Sequence, residues 1–158
     1  MFTILIDGRS GSGKTTLARK LAEDTAFQLV HLDDFYPGWG GLAAASEMVA
    51  TQVLDPRAPG FRRWNWAQDQ PGEWVPLMPG QSLIVEGAGA VNAASISAAR
   101  HLGGLLTLRI DAPATLRRER ALRRDPDYRP WWEMWAQQED RHFAGPGQVR
   151  VDLELCLP

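Results

Sequence analysis

Apolar positions in this chain fall into short blocks separated by glycine, proline and charge. Phe2-Thr3-Ile4-Leu5-Ile6 is a nearly unbroken apolar run, the mark of a strand buried on both faces. A glycine-rich turn follows over 7–13. Over 15–24 the period lengthens, with Leu17, Ala18 and Leu21 on one face, and predicts a helix. Residues 27–32 read as a second strand and 33–41 as a loop rich in Gly, Pro and aromatics. A helix is expected over 42–54, closed by Pro56. Strands at 82–85 and 105–110 flank a helix at 93–101. A basic helix opens at Pro113 and runs to Arg124, and an aromatic-rich one covers 130–143. Val149, Val151, Leu153, Leu155 and Leu157 alternate and predict a last strand over 149–157. Residues 55–80 follow neither period; an irregular segment of that length is expected to be a lid or functional loop.

Strands alternating with helices predict a three-layer α/β/α fold around a mainly parallel five-stranded sheet. Loops at the carboxyl ends of such strands share one edge, where ligands bind. The loops at 7–15, 33–39 and 86–90 each follow a predicted strand and are expected to meet there.

The 158 residues suit a single domain over 1–158. A net charge of -2 gives no support to nucleic-acid or membrane-surface binding. The single cysteine, Cys156, fits a reducing compartment. No run is long enough to span a bilayer, and Phe2–Ile6 is too short and lacks the basic leader of a secretion signal, so a cytoplasmic location is expected. Trp64, Trp66 and Trp74 form one cluster and Trp131, Trp132 and Trp135 another, with Trp39 apart. Such clusters suit loops that close over a ligand, or large rings that patch a small core.

Gly8-Arg9-Ser10-Gly11-Ser12-Gly13-Lys14-Thr15 matches G-x-x-x-x-G-K-[ST] in full, between an apolar strand and an amphipathic helix. The glycines turn the backbone N–H groups inward, and with the helix N-terminus they cradle phosphates. Lys14 can reach the β- and γ-phosphates, the Thr15 hydroxyl can ligate magnesium, and Thr16 caps or packs. His31-Leu32-Asp33-Asp34-Phe35-Tyr36 sets a carboxylate across the cleft. Asp33 can accept the proton of an attacking hydroxyl, orient it, hold magnesium through water, or cap the turn. Glu86, ending the strand at 82–85, is a metal-side carboxylate through water or an acceptor ligand. Arg117, Arg120 and Arg124 share a face of the basic helix, and lid arginines commonly stabilise a moving phosphoryl group. His31 and His101 look structural; no Cys/His cluster suggests zinc.

The P-loop, Asp33-Asp34-Phe35-Tyr36, Glu86-Gly87 and the helix ending Arg124-Asp125 together resemble the uridine kinase family. Residues 71–77, with Trp132, Trp135, Glu139 and His142-Phe143, look closer still to small uridine kinase-like ATP-binding proteins of bacteria. The resemblance implies a P-loop kinase with a short helical lid that uses ATP and Mg2+. It assigns catalysis to Asp33, Lys14, Arg120 and Arg124. It gives nucleotide binding to Gly8, Ser10, Gly11, Ser12, Gly13, Lys14, Thr15 and Thr16, and metal binding to Thr15 and Glu86. Acceptor binding falls to Asp33, Tyr36, Arg63, Asn65 and Glu86, with lid and acceptor segments at about 55–80 and 117–143. The expected partner is a small nucleoside-like acceptor, with no nucleic acid or membrane, in a monomer or homodimer. The alternative is a nucleotide-binding regulatory protein with weak ATPase activity.

Overall fold

The computed structural model describes residues 1–158. In chain order the elements are β1 (Phe2–Gly8), α1 (Lys14–Thr25), β2 (Gln28–His31), α2 (Leu42–Met48), β3 (Gly60–Asn65) and β4 (Gln70–Pro76). They continue as β5 (Leu83–Glu86), α3 (Ala93–Leu102), β6 (Gly104–Asp111), α4 (Ala114–Arg124), α5 (Trp132–Phe143) and β7 (Leu153–Cys156). The main sheet has five strands in the order β2-β5-β1-β6-β7, and every neighbouring pair is parallel.

Side chains of a strand alternate between faces, so a strand covered on both must be apolar at nearly every position. Ile4 and Ile6 of β1 point with Ile84 of β5 into a cluster with Ala18 of α1. Leu5, Leu83 and Val85 point the other way, into the larger cluster built with Leu42, Ala45 and Ala99 of α2 and α3. Two cores on opposite faces of one sheet give the three layers. In register, Ile6 lies beside Glu86, and Glu86 beside His31, so the chemistry that follows these strands leaves from one edge.

Three segments differ from the sequence pattern. Residues 55–80 are not irregular: β3 and β4 form an antiparallel hairpin with a register shift between Arg62 and Trp64. A two-stranded ribbon consists only of edges, so Pro71 and Pro76 are tolerated within it. The helix expected at 130–143 begins as a 3-10 segment, Pro126–Trp131, because Pro130 has no N–H to donate. Of the strand expected over 149–157, only Leu153–Cys156 pairs, with β6. Before it, the Asp152 carboxylate accepts from the Thr107 N–H at 2.8 Å and its hydroxyl at 2.7 Å, which interrupts the run. The helix at 42–54 forms, but its last turn, Val49–Val53, is π-helical. No helix is long and apolar enough to cross a membrane.

Candidate active site

The P-loop joins β1 to α1. Gly11 has φ 78° and lies so close to Arg117 that a Cβ would collide with its carbonyl oxygen, so only glycine fits. Gly13, φ 99°, starts α1 with no side-chain cap, which leaves the helix N-terminus to the loop cavity. Beneath the loop, the buried Asp7 carboxylate accepts from the N–H groups of Gly8 (2.8 Å), Gly89 (3.0 Å) and Val91 (3.0 Å), and pairs with His142 Nε2 at 2.9 Å. It thereby ties β1, the β5–α3 loop and α5 together.

α5 grips the loop at two further points. Buried Glu139 accepts from the Ser10 N–H at 2.6 Å and from Trp135 Nε1 at 3.1 Å. Asp140 pairs with Arg9 at 2.6 Å on the surface. Burial raises the Glu139 pKa, and Lys14 opposes that rise. The Ser10 hydroxyl also accepts from Tyr128 at 3.1 Å, so Ser10 is held within the protein. The Ser12 side chain is buried and its hydroxyl has no partner.

On the metal side, Thr15 Oγ1 donates to Glu86 Oε1 at 3.0 Å, and His31 Nδ1 binds the same oxygen. Burial would raise Glu86, but the His31 hydrogen bond and then Lys14 more than offset it and hold the carboxyl below its usual range. The same bond raises His31. His31, read from sequence as structural or incidental, is thus the partner of the metal-side acid. Glu86 Oε2 is buried without a partner. A hydroxyl, an orphaned carboxylate oxygen and an adjoining phosphate cradle suit magnesium, which takes hard oxygen ligands and completes its shell with waters and substrate phosphates. No group of three or more His, Cys, Asp or Glu could hold a metal by itself.

Two cavities meet at this edge. A small one of about 150 Å3 lies along Gly11, Gly13, Thr15 and Thr16, with Arg120 on its wall. A larger one of about 680 Å3 is lined by Asp33, Tyr36, Trp39, Trp66, Trp131 and Trp135. Lys14 and Arg124 border both, and neither is tied up in an ion pair. The Asp33 side chain opens into the cleft, yet protein crowds it on the other sides. That desolvation raises its pKa, opposed first by Lys14.

The aromatic walls come from distant segments. Trp39 stacks on Tyr128 and on Trp131 at 5.3 Å, and meets Trp66 at 5.1 Å. Trp66 Nε1 donates to the Asp33 carbonyl at 3.0 Å, which anchors the hairpin tip beside the candidate base. Gln138 of α5 donates to the Trp39 carbonyl at 2.7 Å. Tyr36 packs edge-on against Trp135 and donates to the Ala88 carbonyl at 2.8 Å, so its hydroxyl is already engaged.

The structure thus gathers Lys14, Thr15, Asp33, Glu86 and Arg124 at one edge, with Tyr36 in the wall and Arg120 beside the loop. It does not bring Arg63 or Asn65 to the cavity. Arg63 pairs with Glu73 across the hairpin at 2.8 Å, and Asn65 holds the hairpin turn through Gln68. Arg117 is buried and donates to the Ala112 carbonyl at 2.9 Å, bracing the loop rather than facing ligand. The parts unread from sequence are the Asp7–His142 pair, the Glu139–Ser10 bond and the Gln138–Trp39 bond. A buried-strand aspartate followed by a P-loop was the one local hint of the first.

No protein-family model matches the chain, and no curated protein matches it. Solved structures do resemble it. A sugar kinase from Janibacter sp. HTCC2649 is 19% identical with a TM-score of 0.56, over 99% of this chain and 83% of that one. Shikimate kinase from Bacteroides thetaiotaomicron is 16% identical with a TM-score of 0.54, over 97% and 85%. A possible uridine kinase from Bacillus stearothermophilus is 18% identical with a TM-score of 0.51, over 98% and 88%. At these identities the likeness is one of architecture, and it agrees with the parallel sheet and the loop leaving β1: the chain has the three-layer fold of these P-loop kinases.

Proposed function

We propose that the protein transfers the γ-phosphoryl group of ATP to a hydroxyl of a small molecule. The observation that carries this reading is a carboxylate, Asp33, in a cavity that shares Lys14 and Arg124 with the phosphate cradle. A cradle alone would serve any nucleotide-binding protein; a base in a second, roomy cavity calls for an acceptor.

The acceptor oxygen attacks the γ-phosphorus as the bond to the β–γ bridging oxygen breaks, and ADP leaves. Asp33 takes the hydroxyl proton; a pKa raised toward the working pH favours both uptake and release of that proton. Lys14 and the α1 N-terminus hold the β- and γ-phosphates, and Arg124 faces the charge that spreads between the cavities. Thr15 Oγ1 and Glu86 would hold magnesium, which supplies charge neutralisation on the phosphates. The hairpin tip and residues 126–135 wall the acceptor cavity and exclude water, as a lid within one domain over 1–158. The absence of an N-K-x-D run favours ATP over GTP.

ADP release with ATP and magnesium, measured against a panel of nucleosides, sugars, amino alcohols and hydroxy acids, tests the reading. Strong stimulation by one class supports it. Flat, slow hydrolysis across the panel with ATP still bound would favour a regulatory nucleotide-binding protein instead.

A further inference from the structure

The charges around the large cavity are unevenly divided between its two tasks. Its cations are Lys14 and Arg124, and both also border the small cavity along the phosphate loop. ATP therefore engages them. What remains for an acceptor is Asp33, Asp125 and Asp127, set among tryptophan and tyrosine rings. Asp125 accepts from the Asp127 N–H at 3.1 Å and so stays fixed at the mouth, while the Asp127 carboxylate has no hydrogen-bond partner of its own. Trp66 and Trp131 are each 39% exposed, which leaves ring surface open.

An acidic or phosphorylated acceptor would need cations of its own there, and the cavity has none beyond the two already engaged. Trp39 is already stacked on both Tyr128 and Trp131, so the ring surface left open to a ligand is that of Trp66 and Trp131. Electron-rich rings with carboxylates nearby are instead what holds an organic ammonium group.

We propose that the acceptor is a hydroxylated organic cation, an amino alcohol or amino sugar. Its ammonium rests against Trp66 and Trp131 near Asp125 and Asp127, and its hydroxyl reaches Asp33. The inference rests on the kinase reading for the role of Asp33 and for the engagement of Lys14 and Arg124 by ATP. A volume of about 680 Å3 admits a ligand of one or two sugar rings.

Binding to the full chain loaded with magnesium and a non-hydrolysable ATP analogue, followed by tryptophan fluorescence and calorimetry, tests the cation apart from transfer. The probes are choline against its uncharged isostere 3,3-dimethyl-1-butanol, and glucosamine against glucose, with gluconate as the anion. At least one cation should bind about tenfold tighter than its neutral counterpart, and gluconate weakest. The Asp125→Asn/Asp127→Asn double variant keeps the shape and the turn cap, and should weaken the cation about fivefold without changing the neutral ligand. Equal affinity within both pairs, or tighter binding of gluconate, overturns the proposal. ADP release measured in parallel distinguishes the failures. Cation binding without transfer to any acceptor sinks the kinase reading alone, and transfer to a neutral or anionic acceptor sinks the cation alone.

Discussion

Asp33 and Glu139 are both carboxylates raised by burial and opposed by Lys14, but they do different things. Asp33 opens into the acceptor cavity, and its charged form is the active one. Transfer should therefore fall as pH drops through its pKa, with a midpoint above the ordinary 3.8. Asp33→Asn should lower the transfer rate by about 10²–10⁴ and abolish that acid limb, while the ATP dissociation constant stays within about twofold. Transfer near the wild-type rate would remove Asp33 as the base. Glu139 instead spends its oxygen on the Ser10 N–H and Trp135. A raised carboxylate makes the folded state bind the proton more tightly than the unfolded chain does. Its penalty is absent below the ordinary 4.5, grows as pH rises through the folded pKa, and is complete above it. Glu139→Gln keeps an acceptor for both donors and removes the charge. The variant should match or exceed wild-type stability at pH 8 and lose that advantage by pH 4, measured by urea unfolding. With less negative charge beside the cradle, ATP should also bind about twofold to fivefold tighter.

α5 connects the two halves of the site. Its first turns carry Trp135 into the aromatic wall and Trp132 into the core against Tyr128, and Gln138 holds the Trp39 loop. Its last turn holds the phosphate loop through Glu139 and, one layer deeper, through His142 on Asp7. The Asp7 carboxylate keeps three backbone donors without His142, so the helix contact is lost while the charge stays largely satisfied. His142→Ala should then cost about 2–4 kcal/mol in stability, the range for breaking a buried charged hydrogen bond and leaving a void. His142→Gln should recover part of it, since its amide can still donate. A loss below about 0.5 kcal/mol for the alanine variant would mean that α5 is held by its tryptophans and not by this pair. The hairpin β3–β4 shows the converse case, an element whose role rests on its tip. Arg63 and Asn65 serve its own pairing and turn, and Trp66 alone of these residues reaches the cavity wall.

At the scale of the molecule, what the sequence disclosed follows how local the cause is. β1, β5 and β6 are legible because burial on both faces leaves short apolar runs. The P-loop is legible because glycines at fixed spacing, a lysine and a hydroxyl act within eight consecutive positions. The hairpin escaped because its pairing joins residues across a turn, and its prolines and tryptophans follow neither period. The clustered tryptophans suggest loops closing over a ligand, or rings patching the core, but which rings meet escaped for the same reason on a larger scale: Tyr36, Trp39, Trp66, Tyr128 and Trp135 come from three separate segments, Trp66 from the hairpin tip, that only the fold brings to one edge. That convergence also separates two arginines that the sequence placed side by side on one basic face. Arg120 borders only the small cavity by the phosphate loop, whereas Arg124, one turn on, borders both. Arg120→Ala should weaken ATP binding severalfold and leave the acceptor KM unchanged. Arg124→Ala should lower kcat about 10–100-fold, because its charge is needed most when the phosphoryl group lies between the cavities, with a severalfold loss of ATP affinity and little change in the acceptor KM. If the two variants instead show the same loss in ATP affinity with kcat intact, the arginines act as one solvated phosphate-binding face, and the shared border of the cavities has no part in transfer.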